Sequence, residues 1–287
     1  MPIAADDPRL THAYEAASTR YTDVPFQRAG ASGIQLPKVS LGLWQNFGRD
    51  RSFDSQREIV LHAFDRGVVH IDLANNYGPP YGSAESTFGA VLDSGLGRYR
   101  DELFVTTKAG YDMWPGPFGD GGSRKYLTRS LEQSLQRMNT DYVDVFYSHR
   151  PDSETPLEET VTALVDIVRS GKALYVGISN YPADLARQAY ELLADQGMKL
   201  LLHQPRYSLF DRTPEAELFP ALRGLKVGSA VFSPLAQGLL TGKYIDGDVP
   251  ADSRAANSHF LDGSALTDSY LERIRGIDRV AKEAGLS

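Results

Sequence analysis

Short apolar runs alternate with longer stretches of helical periodicity along most of the chain. The apolar runs cover residues 39–44, 68–74, 103–110, 142–149, 173–180, 200–207 and 228–236. They are apolar through most of their length, which is typical of parallel strands buried on both faces. The clearest helical patterns between them cover residues 52–67, 123–138 and 155–171. This alternation predicts a parallel sheet with crossover helices.

The three helical patterns carry ordinary start and stop signals. The first ends at Gly67 and places four apolar residues on one predicted buried face: Ile59, Val60, Ala63 and Phe64. The second begins at Ser123, a favourable N-cap residue. The third begins at Thr155-Pro156, with proline in the first turn, and ends at Gly171.

Two architectures fit this alternation, an open doubly wound sheet and a closed (β/α)8 TIM barrel. The open sheet requires a glycine-rich fingerprint after the first strand, and LGLWQNFG lacks one. Polar and aromatic residues collect at the carboxyl ends of the predicted strands, namely Trp44, Asp72, Lys108, His149, Asn180, Gln204 and Ser233. Active sites of barrels lie at that end. We therefore predict an α/β barrel, preceded by a β-hairpin of residues 26–28 and 34–36.

The predicted barrel is incomplete, because the sequence supplies seven strands and a barrel closes with eight. The last helical pattern, SYLERIRGIDRVAKEAGLS, reaches the final residue. We expect the C-terminal βα unit to be missing, so that either the gene product is longer or a neighbouring subunit covers the gap. Residues 1–22 are predicted to be an N-terminal extension, and residues 23–287 a single domain.

Composition narrows the class of protein. The chain has 287 residues, a formal charge of −7 and no cysteine, which excludes disulfides and thiol nucleophiles. The acidic balance argues against a nucleic-acid partner. No apolar run approaches the roughly 20 residues of a membrane helix, and the N-terminus MPIAADDPRLTHAYE is unlike a signal peptide. We expect a cytoplasmic protein without a membrane partner.

Four residues at or after strand ends form a candidate catalytic set: Asp72, Tyr77, Lys108 and His149. A tyrosine with a pKa near 10 is a poor proton donor at neutral pH. A nearby ammonium lowers that pKa, and a carboxylate holds the ammonium in place. A histidine can orient a carbonyl oxygen or assist proton transfer. The set fits reduction of a carbonyl group, with the hydride coming from a cofactor.

Each of these residues has an ordinary structural interpretation when taken alone. Asp72 and Lys108 would form a salt bridge, Tyr77 would pack on the rim, and His149 would be a hydrogen-bonded core histidine. The conjunction of all four at strand ends favours function, because titratable groups gathered in one cleft mark active sites.

Longer motifs resemble the aldo-keto reductases: IDLANNYG, TTKAGYDMWPG, DVFYSHRPD, ALYVGISNY and FSPLAQGLLTGKY. The stretches DLANNYGPPYGSAE and KAGYDMWPGPFGDGGSRKYL are similar to the bacterial L-glyceraldehyde 3-phosphate reductases of that superfamily. The likeness runs from about residue 21 to residue 287. The resemblance implies a TIM barrel, and it places the family's catalytic tetrad on Asp72, Tyr77, Lys108 and His149.

The resemblance also implies NADPH as the cofactor. Its contacts are expected at Trp44, Ser179, Asn180, Gln204, Tyr207, Ser233, Pro234, Leu235, Gly238, Leu239, Lys243 and Arg254. Amides and a hydroxyl suit the carboxamide of nicotinamide, and Tyr207 corresponds to the aromatic residue that stacks on its ring. The family's C-terminal segment around the adenosine is absent from the sequence, so NADPH rather than NADH rests on the resemblance alone.

The predicted substrate pocket takes its walls from loops beside the tetrad. The aromatic candidates are Trp44, Tyr111, Trp114 and Phe118. The long loop GYDMWPGPFGDGGS is either a flexible surface loop or part of this pocket. Arg150, with Arg124 as a second candidate, could meet a substrate phosphate; the alternative is an ordinary surface salt bridge. No metal site is predicted.

The leading functional hypothesis is NADPH-dependent reduction of small aldehydes such as L-glyceraldehyde 3-phosphate or methylglyoxal, with Tyr77 as the proton donor. The first alternative is a regulatory nucleotide-binding module like the β subunits of voltage-gated potassium channels. Those subunits resemble NRPD where this chain has HRPD, so His149 favours an enzyme. The second alternative is a degenerate barrel that binds nucleotide without turnover. The subgroup's members often form homo-oligomers, which the resemblance extends to this chain.

Overall fold

The structure is a computed structural model that describes residues 14–251, 253–257, 261, 264 and 266–286. The chain divides into two compact units. The first unit comprises Met1–Gln204 with Ala221–Ala230, and the second comprises Pro205–Pro220 with Val231–Ser287. None of the helices in the described part of the chain is long and apolar enough to cross a membrane.

The first unit contains both sheets. The strands are β1 (Phe26–Arg28), β2 (Gln35–Pro37), β3 (Leu41–Gly42), β4 (His70–Asp72), β5 (Phe104–Ala109), β6 (Val143–Ser148), β7 (Ala173–Ser179), β8 (Leu200–Gln204) and β9 (Gly228–Ser229). β1 and β2 form an antiparallel hairpin. The other seven strands form one parallel sheet in sequence order, from β3 to β9. The seven predicted parallel strands and the N-terminal hairpin are confirmed.

The described helices lie between successive parallel strands or follow β9. They are α1 (Phe53–Asp65), α2 (Ser83–Asp93), α3 (Arg124–Met138), α4 (Leu157–Arg169), α5 (Ala183–Asp195), α6 (Leu218–Leu225), α7 (Arg254–Asn257) and α8 (Asp268–Glu283). The strand–helix repeat is that of a (β/α)8 fold, in which parallel strands require crossover connections.

Local sequence explains where helix α3 begins and which residues helix α1 buries. Ser123 caps α3, because its hydroxyl accepts a hydrogen bond from the backbone of Tyr126. Helix α1 buries Val60 and Phe64 as predicted. The prediction that Ile59 shares this face is wrong, because its side chain is 45% exposed and Leu61 is buried in its stead.

The hairpin packs against one end of the sheet. Its residues share a core cluster with three parallel strands, formed by Ala29, Leu36, Phe104, Val145, Tyr147, Leu201 and Leu202. At the hairpin turn, a Cβ on Gly30 would lie 2.1 Å from the carbonyl oxygen of Lys226. The turn therefore approaches the backbone before β9 so closely that only glycine fits.

A second close approach lies inside the sheet. A Cβ on Gly177 of β7 would lie 2.3 Å from the ring of Tyr147 on neighbouring β6. Tyr147 is fully buried, so its ring occupies the space that a side chain at position 177 would need.

The described part of the N-terminal segment is attached to the first unit. The hydroxyl of Tyr14 and the backbone amide of Ala17 both donate to Asp65 at the end of α1, over 2.7 and 2.8 Å. Arg20 forms an ion pair with Glu102 at 2.7 Å. The predicted extension is thus held by side-chain contacts over residues 14–22, and its first 13 residues lie outside the described part.

The second unit has its own small core. Four buried residues form it, namely Tyr244, Leu261, Tyr270 and Ile274. Thr267 caps α8 by accepting a hydrogen bond from the backbone of Tyr270. Because α8 carries two of the four core residues, packing of its apolar face organises this unit.

Candidate active site

The four predicted catalytic residues come together at one end of the parallel sheet. Asp72 ends β4, Lys108 lies near the end of β5, His149 directly follows β6, and Tyr77 lies in the loop after β4. Because parallel strands place their carboxyl ends at the same edge, residues 36 to 77 positions apart in sequence become neighbours. All four belong to the first unit.

Lys108 is the centre of this cluster. Its side chain is fully buried. Nζ donates to Asp72 Oδ2 at 2.7 Å, to the carbonyl oxygen of Leu73 at 2.7 Å and to the hydroxyl of Tyr77 at 3.4 Å. An ammonium has three protons to donate, and these three partners use them all.

Asp72 is held through its second carboxylate oxygen as well. Oδ1 accepts hydrogen bonds from Thr106 Oγ1 at 2.7 Å and from Gln204 Nε2 at 3.0 Å. Burial alone would raise the pKa of Asp72, but attraction to Lys108 and the hydrogen bonds outweigh burial, so this pKa is lowered. The carboxylate is therefore charged at neutral pH and fixed at both oxygens.

Lys108 lowers the pKa of Tyr77, as predicted, but it does not determine the net shift. Burial of the phenol raises its pKa, and the opposing effect of Lys108 is smaller, so the net shift is upward. Burial likewise works against the charge on Lys108, but Asp72 outweighs it and raises the pKa of the ammonium. The phenol thus keeps its proton beside a permanent positive charge.

His149 completes the cluster as an uncharged ring. Burial lowers its pKa to about 3, and Lys108 acts in the same direction. Its ring centroid lies 6.0 Å from that of Tyr77 and 4.7 Å from that of Tyr111. Trp44 also lies near Tyr77, at 6.4 Å between ring centroids. The tetrad therefore faces an aromatic surface, which suits a small carbonyl compound.

The long loop after β5 places the other substrate candidates. Arg150 donates two hydrogen bonds to Asp120 of this loop, at 2.8 and 3.0 Å, and its guanidinium lies 5.2 Å from the centre of the Tyr111 ring. Trp114 packs against Tyr126, with 5.1 Å between ring centroids. Arg150 is thus next to the aromatic surface in space as well as in sequence.

Two other residues of this region are turned to different partners. Phe118, predicted as a pocket wall, is 52% exposed and lies under the ammonium of Lys125 at 3.9 Å. Arg124, the second phosphate candidate, forms an ion pair with Asp166 of α4. The described contacts therefore favour Arg150 over Arg124 as a substrate contact.

Three of the predicted cofactor residues lie at the ends of β7 and β8. Ser179 Oγ donates to the carbonyl oxygen of Gln204 at 2.8 Å. Asn180 is exposed and adopts a positive φ of 61°, and its amide donates to the carbonyl oxygen of His149 at 3.0 Å. A hydroxyl and two amides form a donor and acceptor set that fits a carboxamide.

Trp44 lies in the first unit, and the other predicted cofactor residues belong to the second unit, namely Tyr207, Ser233, Pro234, Leu235, Gly238, Leu239, Lys243 and Arg254. The ring of Tyr207 packs on Phe219, with 5.0 Å between centroids. Gln237 connects two members of the set, because its amide donates to Ser233 Oγ at 3.0 Å and its oxygen accepts from Arg254 at 2.6 Å. Ser233, with a φ of 57°, begins a tight turn.

Sequence reasoning missed the buried residues that support the tetrad. Thr106 donates to Asp72, and His70 contacts Thr106 in turn, with 3.3 Å between Nε2 and Oγ1. Gln204, expected to contact only the cofactor, also donates to Asp72. The available signal was the presence of polar residues inside otherwise apolar strands, since buried polar groups need partners.

Similarity to known proteins shows the family of the chain. Residues 38–287 match the family model of the aldo/keto reductases. The chain is 51% identical over 273 residues to an L-glyceraldehyde 3-phosphate reductase of Escherichia coli (strain K12), covering 93% of this chain and 79% of that protein. It is 35% identical over 268 residues to a probable voltage-gated potassium channel subunit beta of Oryza sativa subsp. japonica, covering 91% and 80% respectively. The chain therefore belongs to the aldo/keto reductase family, whose members are oxidoreductases.

Proposed function

We propose that the chain catalyses the NADPH-dependent reduction of small aldehydes, with L-glyceraldehyde 3-phosphate as the preferred substrate and methylglyoxal as a second one. The observation that carries the proposal is the buried Lys108 ammonium, which contacts both the Asp72 carboxylate and the Tyr77 hydroxyl. The family membership and the 51% identity to an L-glyceraldehyde 3-phosphate reductase support the reaction class and the substrate. A cytoplasmic location and a homo-oligomeric state stay predictions.

In this proposal, Tyr77 donates its proton to the carbonyl oxygen of the substrate. Bound NADPH would supply the hydride for the carbonyl carbon. The phenolate that remains on Tyr77 is stabilised by the adjacent Lys108 charge. This stabilisation matters most in the transition state, when negative charge develops on the phenol oxygen. Asp72 keeps that charge in place. His149 is uncharged, so it can orient the carbonyl oxygen through an N–H hydrogen bond while Tyr77 remains the proton donor.

The proposed cofactor contacts follow from the donor set. Ser179, Asn180 and Gln204 would hold the carboxamide of the nicotinamide. The cofactor contacts expected at Tyr207 and in the loop around Ser233 stay predictions. Preference for NADPH over NADH is part of the proposal, and parallel titration with both cofactors tests it.

The central experiment is NADPH consumption with each aldehyde, for the wild type beside Tyr77→Phe. We expect the variant to lose at least about a hundredfold in kcat while it still binds NADPH, because only the proton donor is removed. Tyr181→Phe is the matched control, since it removes the hydroxyl of another buried tyrosine that contacts Ser148. Equal activity in Tyr77→Phe and the wild type would overturn the assignment.

The phosphate specificity is proposed to come from Arg150. A phosphate can replace Asp120 as the partner of its guanidinium, because both are anionic acceptors of paired hydrogen bonds. Arg150→Gln should lower the ratio of kcat/KM for L-glyceraldehyde 3-phosphate over methylglyoxal by about tenfold or more, since methylglyoxal has no phosphate. Arg124→Gln, which disrupts the ion pair with Asp166, is the control and should leave that ratio unchanged.

A second function is favoured by one finding, the 35% identity to a probable potassium channel subunit beta. A chain of that kind would bind NADPH with little or no turnover of either aldehyde. Tight NADPH binding by a wild type without measurable turnover would select this alternative.

A further inference from the structure

A row of buried polar groups leads from an exposed serine to the Asp72 carboxylate. Ser40 Oγ lies 2.7 Å from His70 Nδ1, and His70 Nε2 lies 3.3 Å from Thr106 Oγ1. Thr106 then donates to Asp72 Oδ1 at 2.7 Å. His70 is 1% exposed and Thr106 is fully buried. The row runs beside β4, from its first residue to its last.

The chemistry of these groups allows one arrangement of their protons. Asp72 is ionised and can only accept, so the single proton of Thr106 points at Oδ1. The Thr106 oxygen must then accept from His70, which places the imidazole proton on Nε2. Nδ1 is left with a lone pair, and Ser40 donates to it. Every hydrogen bond in the row is thus directed towards the carboxylate.

His70 stays neutral in this arrangement. Burial lowers the pKa of its imidazole to about 4. The two charged groups that act on it are Asp72, which favours protonation, and Lys108, which opposes it. The ring also packs edge-on against Phe104, with 5.4 Å between ring centroids. The imidazole therefore serves as a fixed donor at neutral pH.

We propose that His70 and Thr106 are positioning residues for the reaction, because they orient Asp72 Oδ1 so that Oδ2 keeps the Lys108 ammonium directed at Tyr77. The inference rests on the proposed function for its kinetic part. Its structural part, the Nε2–H form of His70, can be observed without any turnover.

The neighbouring residue on β5 provides a matched control. Thr107 is also fully buried, and its hydroxyl also donates to a buried carboxylate, Glu85 Oε1, at 2.6 Å. Thr106→Val and Thr107→Val remove the same group from adjacent positions of one strand. Both variants lose one hydrogen bond to a carboxylate, so both should show a lowered Tm.

The two variants should differ in kinetics. Thr106→Val should lower kcat about tenfold, which corresponds to the loss of one hydrogen bond to a charged group, with KM for NADPH and aldehyde changed less than about twofold. Its pH profile for kcat should also shift, because Asp72 holds the Lys108 charge less well. Thr107→Val should keep kcat and the pH profile of the wild type.

A conservative variant separates positioning from packing. His70→Gln retains an amide N–H that can donate to Thr106, whereas His70→Phe retains the ring but removes the donor. We expect His70→Gln to recover most of the kcat that His70→Phe loses. Equal kcat losses in these two variants, or in Thr106→Val and Thr107→Val, would overturn the inference.

The closing measurement is the ¹⁵N resonances of the imidazole at neutral pH, assigned to His70 by comparison with His70→Gln. Protonated Nε2 and unprotonated Nδ1 support the inference, and Thr106→Val should perturb that pattern. A proton on Nδ1 overturns the inference whatever the activity. If the wild type shows the Nε2–H form but reduces neither aldehyde, the proposed function fails and the positioning of Asp72 by this row stands.

Discussion

Two buried ion pairs lie on opposite faces of β5, and they differ in what their cations do. Asp72 pairs with Lys108 and Glu85 pairs with Arg137, each at 2.7 Å. Each carboxylate also accepts a hydroxyl from a threonine of β5. Because successive residues of a strand point to opposite faces, Thr106 serves one pair and Thr107 the other.

The two ion pairs differ in the further hydrogen-bond partners of their cations. Arg137 of α3 donates further to Ser134 of the same helix, so its contacts join α3 to Glu85 of α2. Lys108 donates further to Tyr77, a residue of a loop at the end of the strands. Burial and pairing are thus common to both, and the contact with a titratable group at the sheet end distinguishes the candidate active site from a structural pair.

The largest expected effect is that of removing the cation from the first pair. Lys108→Met should lower kcat by about a thousandfold or more, because the phenolate of Tyr77 loses its stabilising charge. Steady-state assays with NADPH and L-glyceraldehyde 3-phosphate measure this, after circular dichroism has shown that the variant folds. Arg137→Met, the same change in the second pair, should keep kcat within about twofold. Similar kcat losses in both would remove the distinction.

Acidification should destabilise the fold through three buried histidines. Burial lowers the pKa of His70 and His203 to about 4 and that of His149 to about 3, from 6.5. Below pH 6.5 the unfolded chain takes up protons that the native protein does not, so stability is lost as pH falls. Each group contributes a slope of about 1.4 kcal/mol per pH unit. The three groups together therefore give a slope of about 4 kcal/mol per pH unit, down to about pH 4.

Urea unfolding at a series of pH values measures this slope. His203→Gln, in which the amide can keep the contact with the carbonyl oxygen of Tyr181, should reduce the slope by about one third, because one of three titrating groups is removed. An unchanged slope in that variant would contradict the assignment of His203 as a neutral buried group.

Breaking the second pair should affect stability and spare the chemistry. Glu85→Gln leaves Arg137 without its buried anionic partner and should lower the free energy of unfolding by about 3 kcal/mol. Its kcat should stay within about twofold of the wild type. Glu85→Met likewise leaves the charge of Arg137 uncompensated. Adding Arg137→Met to Glu85→Met should recover much of the stability that Glu85→Met loses, because the uncompensated charge is then gone. A large loss of kcat in a folded Glu85→Gln would show that this pair also serves the reaction.

The smallest expected effect concerns the last contact of Arg137. Ser134 is buried, and its hydroxyl accepts from Arg137 at 3.2 Å. Ser134→Ala should lower the free energy of unfolding by about 1 kcal/mol, the usual net value of one hydrogen bond, with no change in kcat. A stability loss as large as that of Glu85→Gln would mean that the second pair depends on Ser134 more than its geometry indicates.

The sequence predicted the tetrad because its members stand out from their surroundings. Asp72 and Lys108 are charged residues at the ends of apolar runs, and His149 follows another run directly. A parallel sheet places such positions at one edge, so the strand pattern was enough to bring them together. The direction of the pKa shift on Tyr77 could not be predicted, since it depends on how much solvent the folded protein removes from the phenol.

The supporting residues were harder to predict for a different reason. Thr106 and Thr107 are good strand formers, so their presence in β5 indicated buried hydroxyl groups that need partners but did not identify the two carboxylates. Glu85 lies in a helix start rich in polar residues, where an exposed position is the usual expectation. Ile59 shows the opposite error, since helical periodicity alone did not determine which apolar residue at the edge of the face would be covered.

The close approach of the Tyr147 ring to Gly177 of β7 limits which positions can be varied in a redesign of this protein. The Tyr147 ring occupies the space that a side chain at position 177 would need, and the same ring lies 5.8 Å from the Lys108 ammonium. A mutation library that randomises position 177 would force the ring to move, and the space beside the Lys108 ammonium would change with it. Positions 147 and 177 should therefore be varied together or left alone, although neither is a predicted contact of substrate or cofactor.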